Sequence, residues 1–285
     1  MSKDIINNLE KNIKLSNYNK SSYWKKYLNN EINYHDIEKD LGFGSFQKKS
    51  KKKFLHYIFQ KIVFNFKLHS LESYKQYKLS FDTYDRQIDV NTVRHIFTFD
   101  MLSKYVKPKK ICIIGDGKIN GLTGINKIFP HSKIYSVNLS ETLINDYLIL
   151  LKSDLDLKSS ISVINSEDEN DTNTRLTLVP SQNKKFLINK NIELFINIVS
   201  LQEMTINEVS NYFDIIRNNN AMFYCCNREE KVLPGGEILK FDDYPWGKCE
   251  MIFREYCSWH KRFYCFYYPF VKKYDGKILH SLVKY

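Results

Sequence analysis

Apolar, strand-like segments alternate with helix-like segments between residues 109 and 227, and this alternation constrains the fold more than any other feature. Five β-branched, apolar runs are each predicted to form a strand: Lys109–Gly115, Lys133–Leu139, Ser160–Asn165, Ile192–Ser200 and Ala221–Asn227. Strands this apolar, separated by helices, form a parallel sheet that is covered on both faces. We therefore predict an α/β fold with a doubly wound, mostly parallel sheet.

The segments between these strands carry helix signals. Helices are predicted at Asn120–Phe129, at Glu141–Lys152 and from Thr205 to Arg217. Ser140 and Thr205 are predicted N-caps, because a hydroxyl oxygen accepts a hydrogen bond from a free N–H of the first turn. Glu208 follows Thr205 at the spacing of a capping box.

A helical, basic region is predicted ahead of the sheet. Residues 1–105 are assigned to this N-terminal region and residues 106–285 to the sheet domain. Asp82–Val106 reads as one helix that ends before Pro108. Phe54–Phe66 reads as another helix, whose predicted apolar face is Phe54, Ile58, Ile62 and Phe66.

Most of the net charge lies near the N-terminus. The first 80 residues hold 16 Lys, no Arg and 7 acidic residues, so they carry +9 of the total +11. Lys48, Lys49 and Lys51–Lys53 form a cluster beside aromatic residues, a pattern found at nucleic-acid or anionic-membrane surfaces. A solvated loop ahead of a core helix gives the same pattern, and so does a site for an anionic substrate. The missing Arg forks argue against base-specific contacts.

The rest of the composition excludes several classes of protein. The six Cys have no CxxC spacing, so we predict reduced thiols, with neither a disulfide framework nor a zinc site. The N-terminal MSKDIINNLEK has no apolar signal region. Apolar stretches are far shorter than the ~20 residues of a membrane span. A cytoplasmic protein is expected, and a homo-oligomer is left open.

A glycine loop follows the first predicted sheet strand. In ICIIGDGKINGL (Ile111–Leu122) the glycines are Gly115, Gly117 and Gly121, a spacing that differs from the dinucleotide GxGxxG. Such a loop lets a ligand approach the backbone and the first N–H groups of the next helix. A turn that serves packing alone is the alternative.

Ligands of open α/β sheets bind beyond the carboxyl ends of the strands. The residues predicted there are Gly115, Asp116, Gly117, Asn138, Leu139, Asn165, Ser166 and Ser200, followed by Gln202 and Glu203. Asn138 stands where a dinucleotide site has its ribose-binding acid, about 20 residues beyond the glycines. The amide weakens an NAD assignment and leaves another adenosyl ligand open.

Three polar side chains are candidates for a catalytic or ligand-binding role. Glu203 could act as a general base, orient a hydroxyl or hold a metal, or it could only charge the next helix. His260 could serve as a base, or it could be a hydrogen-bonded core histidine. Asp243 lies in a polar–aromatic cluster with Asp242, Tyr244 and Trp246 that is typical of sugar contacts and equally of a packed loop.

Several stretches resemble the bacterial sugar O-methyltransferases found among polysaccharide-biosynthesis enzymes. The matching stretches are DTYDRQIDVNTVRH (Asp82–His95), CIIGDGKINGLT (Cys112–Thr123), VNLSETLINDYL (Val137–Leu148), SLQEM (Ser200–Met204), CNREEK with LPGGE (Cys226–Glu237), YPW (Tyr244–Trp246) and WHKRFY (Trp259–Tyr264). The resemblance covers about residues 80–280. It implies a Rossmann-like, S-adenosylmethionine-dependent enzyme that methylates a hydroxyl of a nucleotide-linked sugar or a surface-glycan precursor.

The resemblance also implies roles for individual residues. Gly115–Gly117 would cradle the methionine part of the cofactor, with Asp116 near its amino group. Asn138 would face the ribose and Asn165–Ser166 the adenine. His260 or Glu203 would be the general base, and Asp243 would be a further candidate for a substrate or metal ligand.

Two further functions stay open at this stage. The basic N-terminus suggests a nucleic-acid methyltransferase, although nucleic acid is not the expected partner. Ile113 and Asn138 stand where related enzymes have acids, which suggests a non-catalytic module that binds a glycan or a partner on a degenerate Rossmann fold. The basic helices are then read as a lid over an anionic sugar.

Overall fold

The computed structural model describes residues 2–15, 20–28, 53–64 and 68–285. One eight-stranded sheet dominates the fold, in the order β3-β4-β2-β1-β5-β6-β12-β9. Its strands are β1 (Lys110–Ile114), β2 (Lys133–Asn138), β3 (Ile161–Val163), β4 (Leu176–Pro180), β5 (Leu194–Ile198), β6 (Met222–Arg228), β9 (Glu250–Tyr256) and β12 (Ile278–Lys284). Two small hairpins pair β7 (Glu230–Val232) with β8 (Ile238–Lys240), and β10 (Arg262–Tyr264) with β11 (Val271–Lys273).

Eight α-helices accompany the strands in the described part of the chain. They are α1 (Ser2–Leu15), α2 (Ser22–Leu28), α3 (Lys53–Val63), α4 (Glu72–Thr83), α5 (Val90–Tyr105), α6 (Asn120–Ile128), α7 (Ser140–Lys152) and α8 (Ile206–Asn218). None of the described helices is long and apolar enough to cross a membrane.

The sheet direction places a crevice at its centre. Strands β3, β4, β2, β1, β5 and β6 are parallel, and β12 is antiparallel to both β6 and β9. From β1 the chain moves to β2 on one side and later returns to β5 on the other. The strand order therefore reverses between β1 and β5, which is where open sheets of this class bind ligands.

Both faces of the sheet are buried, as the apolar strands require. Along β1, Ile111 and Ile113 belong to a core shared with α4, α5, α6 and α7, whereas Cys112 and Ile114 belong to a core shared with α8. Successive side chains of a strand point to opposite faces, so one apolar strand serves two cores. The predicted doubly wound, mostly parallel Rossmann-like fold is confirmed.

The five predicted strands are all present, and one parallel strand of the large sheet was missed. β4 (Leu176–Pro180) lies between β3 and β2, so the third predicted strand is displaced to the edge. The missed strand is fully buried, while β3 is only half-buried. Its apolar run RLTLVP follows a long polar stretch that had been read as loop.

Two predicted helix boundaries are wrong and one is confirmed. The helix predicted over Asp82–Val106 is two helices, because α4 ends at Thr83 and α5 begins at Val90, capped by the Asp89 carboxylate. Ser140 lies inside α7, and Leu139 occupies its cap position without a side-chain bond. Thr205 does cap α8 by accepting a hydrogen bond from the N–H of Glu208.

The apolar face predicted for α3 is also wrong. Phe54 is 72% exposed and Ile62 is 59% exposed, whereas His56 and Gln60 are buried. His56 Nδ1 lies 2.9 Å from Tyr264 Oη, and Gln60 donates to the carbonyl of Ile88. Phe66 and Lys48–Lys52 lie outside the described residues, as does the side chain of Lys53.

The N-terminal helices pack against the sheet domain. Helix α1 contacts α7 and β3, and α5 contacts α6. The boundary predicted at residue 105 coincides with the end of α5. The division into two domains stays a prediction.

All six cysteines are free, and Cys112, Cys225, Cys226 and Cys257 are buried.

Candidate active site

A cavity opens at the carboxyl edge of the sheet, over the point where the strand order reverses. Each of the segments that follow β1, β2, β4 and β5 contributes to it. Residues of these four segments in its wall are Gly115, Asp116, Gly117, Asn120, Asn138, Leu139, Ser181, Gln182, Val199, Ser200 and Glu203. One further side of the cavity is closed by residues in α2 and just before it, namely Lys20, Ser21 and Trp24. Another side is closed by Asn91, Arg94, His95, His260 and Tyr274.

The glycine loop is fixed against the segment after β5. Gly115 has a φ of +73°, and its N–H donates to the carbonyl of Val137 at 2.8 Å. A Cβ atom at Gly115 would overlap the hydroxyl of Ser200. That hydroxyl donates to the carbonyl of Ile114. Both the positive φ and the close approach therefore require glycine here.

The carboxylate of Asp116 caps helix α6. It accepts hydrogen bonds from the N–H groups of Gly121 at 2.7 Å and Leu122 at 2.8 Å. Burial raises the pKa of this carboxyl, while His95 and the two N–H donors oppose that rise. The side chain therefore holds the loop against α6, and the amino-group contact implied by the resemblance stays a prediction.

Asn138 ties the loop after β2 to the glycine loop. Its Nδ2 donates to the carbonyl of Asp116 at 2.7 Å, and its Oδ1 accepts from the N–H of Leu139 at 2.9 Å. An aspartate could not make the first of these bonds, because an ionised carboxylate only accepts. Asn138 lines the cavity and its amide joins two loops there, while its contact with a ribose stays a prediction.

The missed strand changes which residues stand on the far side of the cavity. Asn165 and Ser166 are exposed and lie outside the cavity wall, because β3 is separated from β2 by β4. Their predicted position is taken by Ser181 and Gln182, which follow β4. Gln182 Nε2 donates to the side chain of Asn12 in α1, and its Oε1 is a buried acceptor without a partner. Asn165 and Ser166 therefore do not line the cavity, contrary to the position expected for them.

A buried amide network positions Glu203. Asn227 Nδ2 donates to Asn197 Oδ1 at 2.8 Å, and Asn227 Oδ1 accepts from the N–H of Gln202. The N–H of Arg228 donates to Gln202 Oε1 at 2.7 Å. These bonds join the ends of β5 and β6 and fix the short turn Leu201–Glu203 that ends at the cavity.

The carboxyl group of Glu203 is buried. The residue is 1% exposed, and neither carboxyl oxygen has a hydrogen-bond partner among the residues that the structure describes. Burial raises its pKa well above the usual range, and the positive charges of Lys231 and Arg228 oppose that rise. Buried polar groups are normally hydrogen-bonded, so a side chain left in this state in a cavity marks a ligand or proton-transfer site.

His260 lines the same cavity as a neutral imidazole. Its Nδ1 lies 2.9 Å from the Cys257 sulfur, and its Nε2 is buried without a partner. Burial lowers its pKa well below the usual range, and the positive charge of Arg94 lowers it further. The ring therefore offers one nitrogen to a ligand and is a weak base.

Cys226, Cys257 and His260 form the one group with metal-ligand proximity among the described residues. Their ligand atoms lie within 4.8 Å of one another. The distance of 2.9 Å between Cys257 and His260 is that of a hydrogen bond, and burial raises the pKa of the Cys257 thiol. The buried guanidinium of Arg94 also acts on both sulfurs. The short contact between Cys257 and His260, beside the buried cation of Arg94, is that of a hydrogen-bonded cluster.

Asp243 lies away from the cavity. It is exposed at the end of the turn Phe241–Asp243, while the neighbouring Tyr244 is buried. Trp246 and Tyr244 pack against Phe213 of α8. The aromatic residues therefore belong to a core, and Asp243 does not line the cavity, so its ligand role stays a prediction.

The segment at residues 20–24 fastens the N-terminal region over the site. Lys20 Nζ forms a buried ion pair with Glu141 Oε1 at 2.5 Å. The hydroxyl of Ser21 donates to the carbonyl of Glu203, and that of Ser22 donates to Glu237 Oε2 at 2.8 Å. No sequence signal marked Lys20 or Ser21, since their partners lie more than 100 residues away.

No protein-family model matches the chain, and comparison with curated proteins finds no match. Solved structures of similar arrangement include the methyltransferase domain of bacterial CtHen1, at 12% identity and a TM-score of 0.40, over 69% of this chain and 100% of that chain. The mitomycin 7-O-methyltransferase MmcR gives 9% identity and a TM-score of 0.38, over 76% and 69%.

A third such structure is the plantazolicin methyltransferase BamL in complex with a triazolic desmethylPZN analogue and SAH. It gives 12% identity and a TM-score of 0.35, over 62% of this chain and 58% of that chain, so the chain spans less than two thirds of its length. At these identities and TM-scores, the likenesses bear on neither cofactor nor substrate.

Proposed function

We propose that this chain is an S-adenosylmethionine-dependent O-methyltransferase whose acceptor is a sugar hydroxyl. The observation that carries the proposal is the unpartnered, buried carboxyl group of Glu203, in a cavity lined by the loop Gly115–Gly117. A carboxyl group with a raised pKa is suited to remove a proton from a hydroxyl near neutral pH. The sugar as acceptor, nucleotide-linked or in a glycan precursor, rests on the sequence resemblance.

The residues around the cavity fit the cofactor. Gly115–Gly117 would offer backbone groups to its methionine part, and Asn138 and Leu139 would stand beside its ribose. The free Oε1 of Gln182 is an acceptor for the amino group of an adenine. When bound, S-adenosylmethionine supplies a methyl group on a positively charged sulfur.

Glu203 is a better general base than His260. A base works best when its pKa is close to the working pH. Burial brings the pKa of Glu203 upward, towards neutrality, whereas it takes the pKa of His260 downward, away from it. We assign proton removal to Glu203 and the orientation of the acceptor hydroxyl to Nε2 of His260.

The remaining contribution of the protein is alignment and exclusion of water. Lys20, Ser21 and Trp24 cover one side of the cavity, and the hydrogen bond of Ser21 to the backbone of Glu203 links this cover to the base. Holding two reacting groups in line accounts for a large part of the rate of such transfers. The cover therefore has to be in place for the carboxyl group to act.

Methyl transfer to a panel of sugars tests the proposal. The purified chain is incubated with isotopically labelled S-adenosylmethionine and free, methyl-glycosidic and nucleotide-linked sugars, and products are identified by mass spectrometry. We expect label on at least one sugar, and a loss of about 10²–10⁴-fold for Glu203→Gln.

Glu230→Gln is the matched control, because Glu230 is exposed and pairs only at the surface with Lys240 at 3.7 Å. It should retain full activity. A wild-type protein that binds the cofactor but labels no sugar would contradict the proposal that the acceptor is a sugar. One that does not bind the cofactor would remove the proposed function.

A further inference from the structure

We propose that the acceptor carries an acidic group, a carboxylate, which binds the guanidinium of Arg94 beside the reacting hydroxyl. This deepens the proposed function and rests on it. The expected substrate class is therefore a sugar acid, such as a hexuronic acid unit.

Arg94 presents a free edge of its guanidinium in the cavity. The residue is 5% exposed and lines the cavity. Its Nη1 donates to Asn91 Oδ1 at 3.0 Å, whereas Nε and Nη2 are buried and have no hydrogen-bond partner in the described part of the chain. Nε and Nη2 form the side of the guanidinium whose two N–H groups are parallel. This is the edge that binds two oxygens of one carboxylate.

The charge of Arg94 is not neutralised within the described part of the chain. No carboxylate oxygen of the described residues forms an ion pair with it within 4.0 Å. Among the groups that act on its pKa, the acid Asp89 exerts the weakest influence. An arginine stays protonated in proteins, and a buried unpaired charge is costly. An anionic ligand would supply the missing partner.

The aromatic ring of Tyr274 fixes the orientation of the guanidinium. The Arg94 Cζ atom lies 4.4 Å from the ring centroid, a cation–π distance. With one nitrogen held by Asn91 and one face held by the ring, the free edge is the part left to bind. Such a preorganised fork selects planar oxyanions over neutral hydroxyls.

The surroundings of Arg94 favour the acceptor over the methyl donor as the source of the anion. Apart from Asp89, the groups that act on it are Tyr274, Cys257 and Cys226 in β6, and it in turn lowers the pKa of His260. These residues follow β5 in the chain, as do Glu203 and His260, to which we assign the acceptor hydroxyl. The glycine loop, which would hold the methionine carboxylate of the donor, contributes none of them.

Binding measurements on the full chain separate the two sources. Wild-type protein saturated with S-adenosylhomocysteine is titrated with methyl glucuronide and methyl galacturonide and with the matching neutral methyl glucoside and galactoside. We expect at least one acid to bind about tenfold or more tighter than its neutral counterpart, as a charge-assisted bidentate pair provides. No preference for either acid would overturn the inference, whatever the variants do.

Arg94→Lys keeps the charge and removes the fork, and Arg262→Lys, at an exposed position of β10, is the matched control. Arg94→Lys should lose the preference for the acid, and Arg262→Lys should keep it. The affinity of Arg94→Lys for S-adenosylhomocysteine should be unchanged. A weaker affinity for it, with unchanged affinity for methylthioadenosine, which lacks the amino-acid part, would mean that Arg94 holds the donor carboxylate and would overturn the inference.

Failure of the proposed function gives a different result. In that case, wild-type protein does not bind S-adenosylhomocysteine at all. If only the present inference fails, the wild-type protein still binds S-adenosylhomocysteine but does not prefer the acidic sugars over the neutral ones.

Discussion

The sulfur of Cys257 lies 2.9 Å from Nδ1 of His260, and this contact leaves Nε2 as the ring nitrogen without a protein partner. Burial raises the pKa of the thiol and lowers that of the imidazole. Both groups are therefore neutral at physiological pH. A neutral His260 can orient the acceptor hydroxyl, and we assign removal of the hydroxyl proton to Glu203.

The roles of Glu203 as the base and of His260 as the orienting group predict the pH dependence of methyl transfer. Glu203 must be ionised to act, so kcat should rise with pH through its raised pKa. Glu203→Gln should abolish the rising limb, and His260→Asn should lower kcat without moving it. A pH–rate profile of the three proteins checks this. A limb that disappears in His260→Asn instead would assign the base to the imidazole.

The same carboxyl group should reduce the stability of the protein at high pH. Its pKa is higher in the folded than in the unfolded state, so the folded state binds the proton more tightly. Its contribution is complete below the unfolded pKa and is lost as the pH rises through the folded pKa. Glu203→Gln should therefore raise Tm at pH 8 relative to wild type, with a smaller difference at pH 5.

Thermal unfolding of both proteins at the two pH values measures this effect. About 2–4 °C in Tm corresponds to each 1 kcal/mol in a chain of roughly this size. Glu230→Gln serves again as the control and should leave Tm unchanged at both pH values. Equal Tm values for wild type and Glu203→Gln at pH 8 would contradict the account of an unpartnered buried carboxyl.

Asp116 should link the stability of α6 to cofactor affinity. Asp116→Asn removes one of two charge-assisted bonds to the N–H groups of Gly121 and Leu122, at a cost of about 1–2 kcal/mol. Because these bonds also hold the glycine loop, affinity for S-adenosylhomocysteine should fall. Asp89→Asn weakens the cap of α5 in the same way and should leave that affinity unchanged. Denaturant unfolding and calorimetry give the two readouts.

The ion pair between Lys20 and Glu141 should stabilise the cover of the cavity. Both side chains are buried, at 6% and 4% exposure, so Lys20→Met leaves a buried charge alone at a cost of about 3–5 kcal/mol. Lys104→Met breaks an exposed pair with Asp100 and should cost about 0.2–1 kcal/mol. Chemical unfolding compares the two. Similar small costs would show that the N-terminal segment is not fastened through Lys20.

Local patterns were sufficient to predict the sheet and the glycine loop. Apolar, β-branched runs and the cap at Thr205 depend on neighbours in sequence, so five strands and α8 could be predicted. Gly115 could be predicted as well, because a positive φ after a strand favours glycine. Because β4 was not predicted, the adenine contacts were expected after β3, at Asn165 and Ser166. The residues that line the cavity there follow β4 and are Ser181 and Gln182.

Side chains whose roles depend on distant partners could not be predicted. Arg94 lies in a helix whose sequence reads as an ordinary amphipathic segment, and its free edge arises only from the packing of Asn91 and Tyr274 around it. The polar–aromatic residues around Asp243 have the composition of a sugar site, yet Tyr244 and Trp246 fill the core beside α8. Composition alone does not distinguish these two outcomes.

Calorimetric titration of the wild-type chain with S-adenosylhomocysteine tests the central claim most directly. The cavity between the glycine loop, Asn138 and Gln182 predicts one site with an affinity in the micromolar range. Folded protein that gives no binding heat with millimolar S-adenosylhomocysteine would contradict the account.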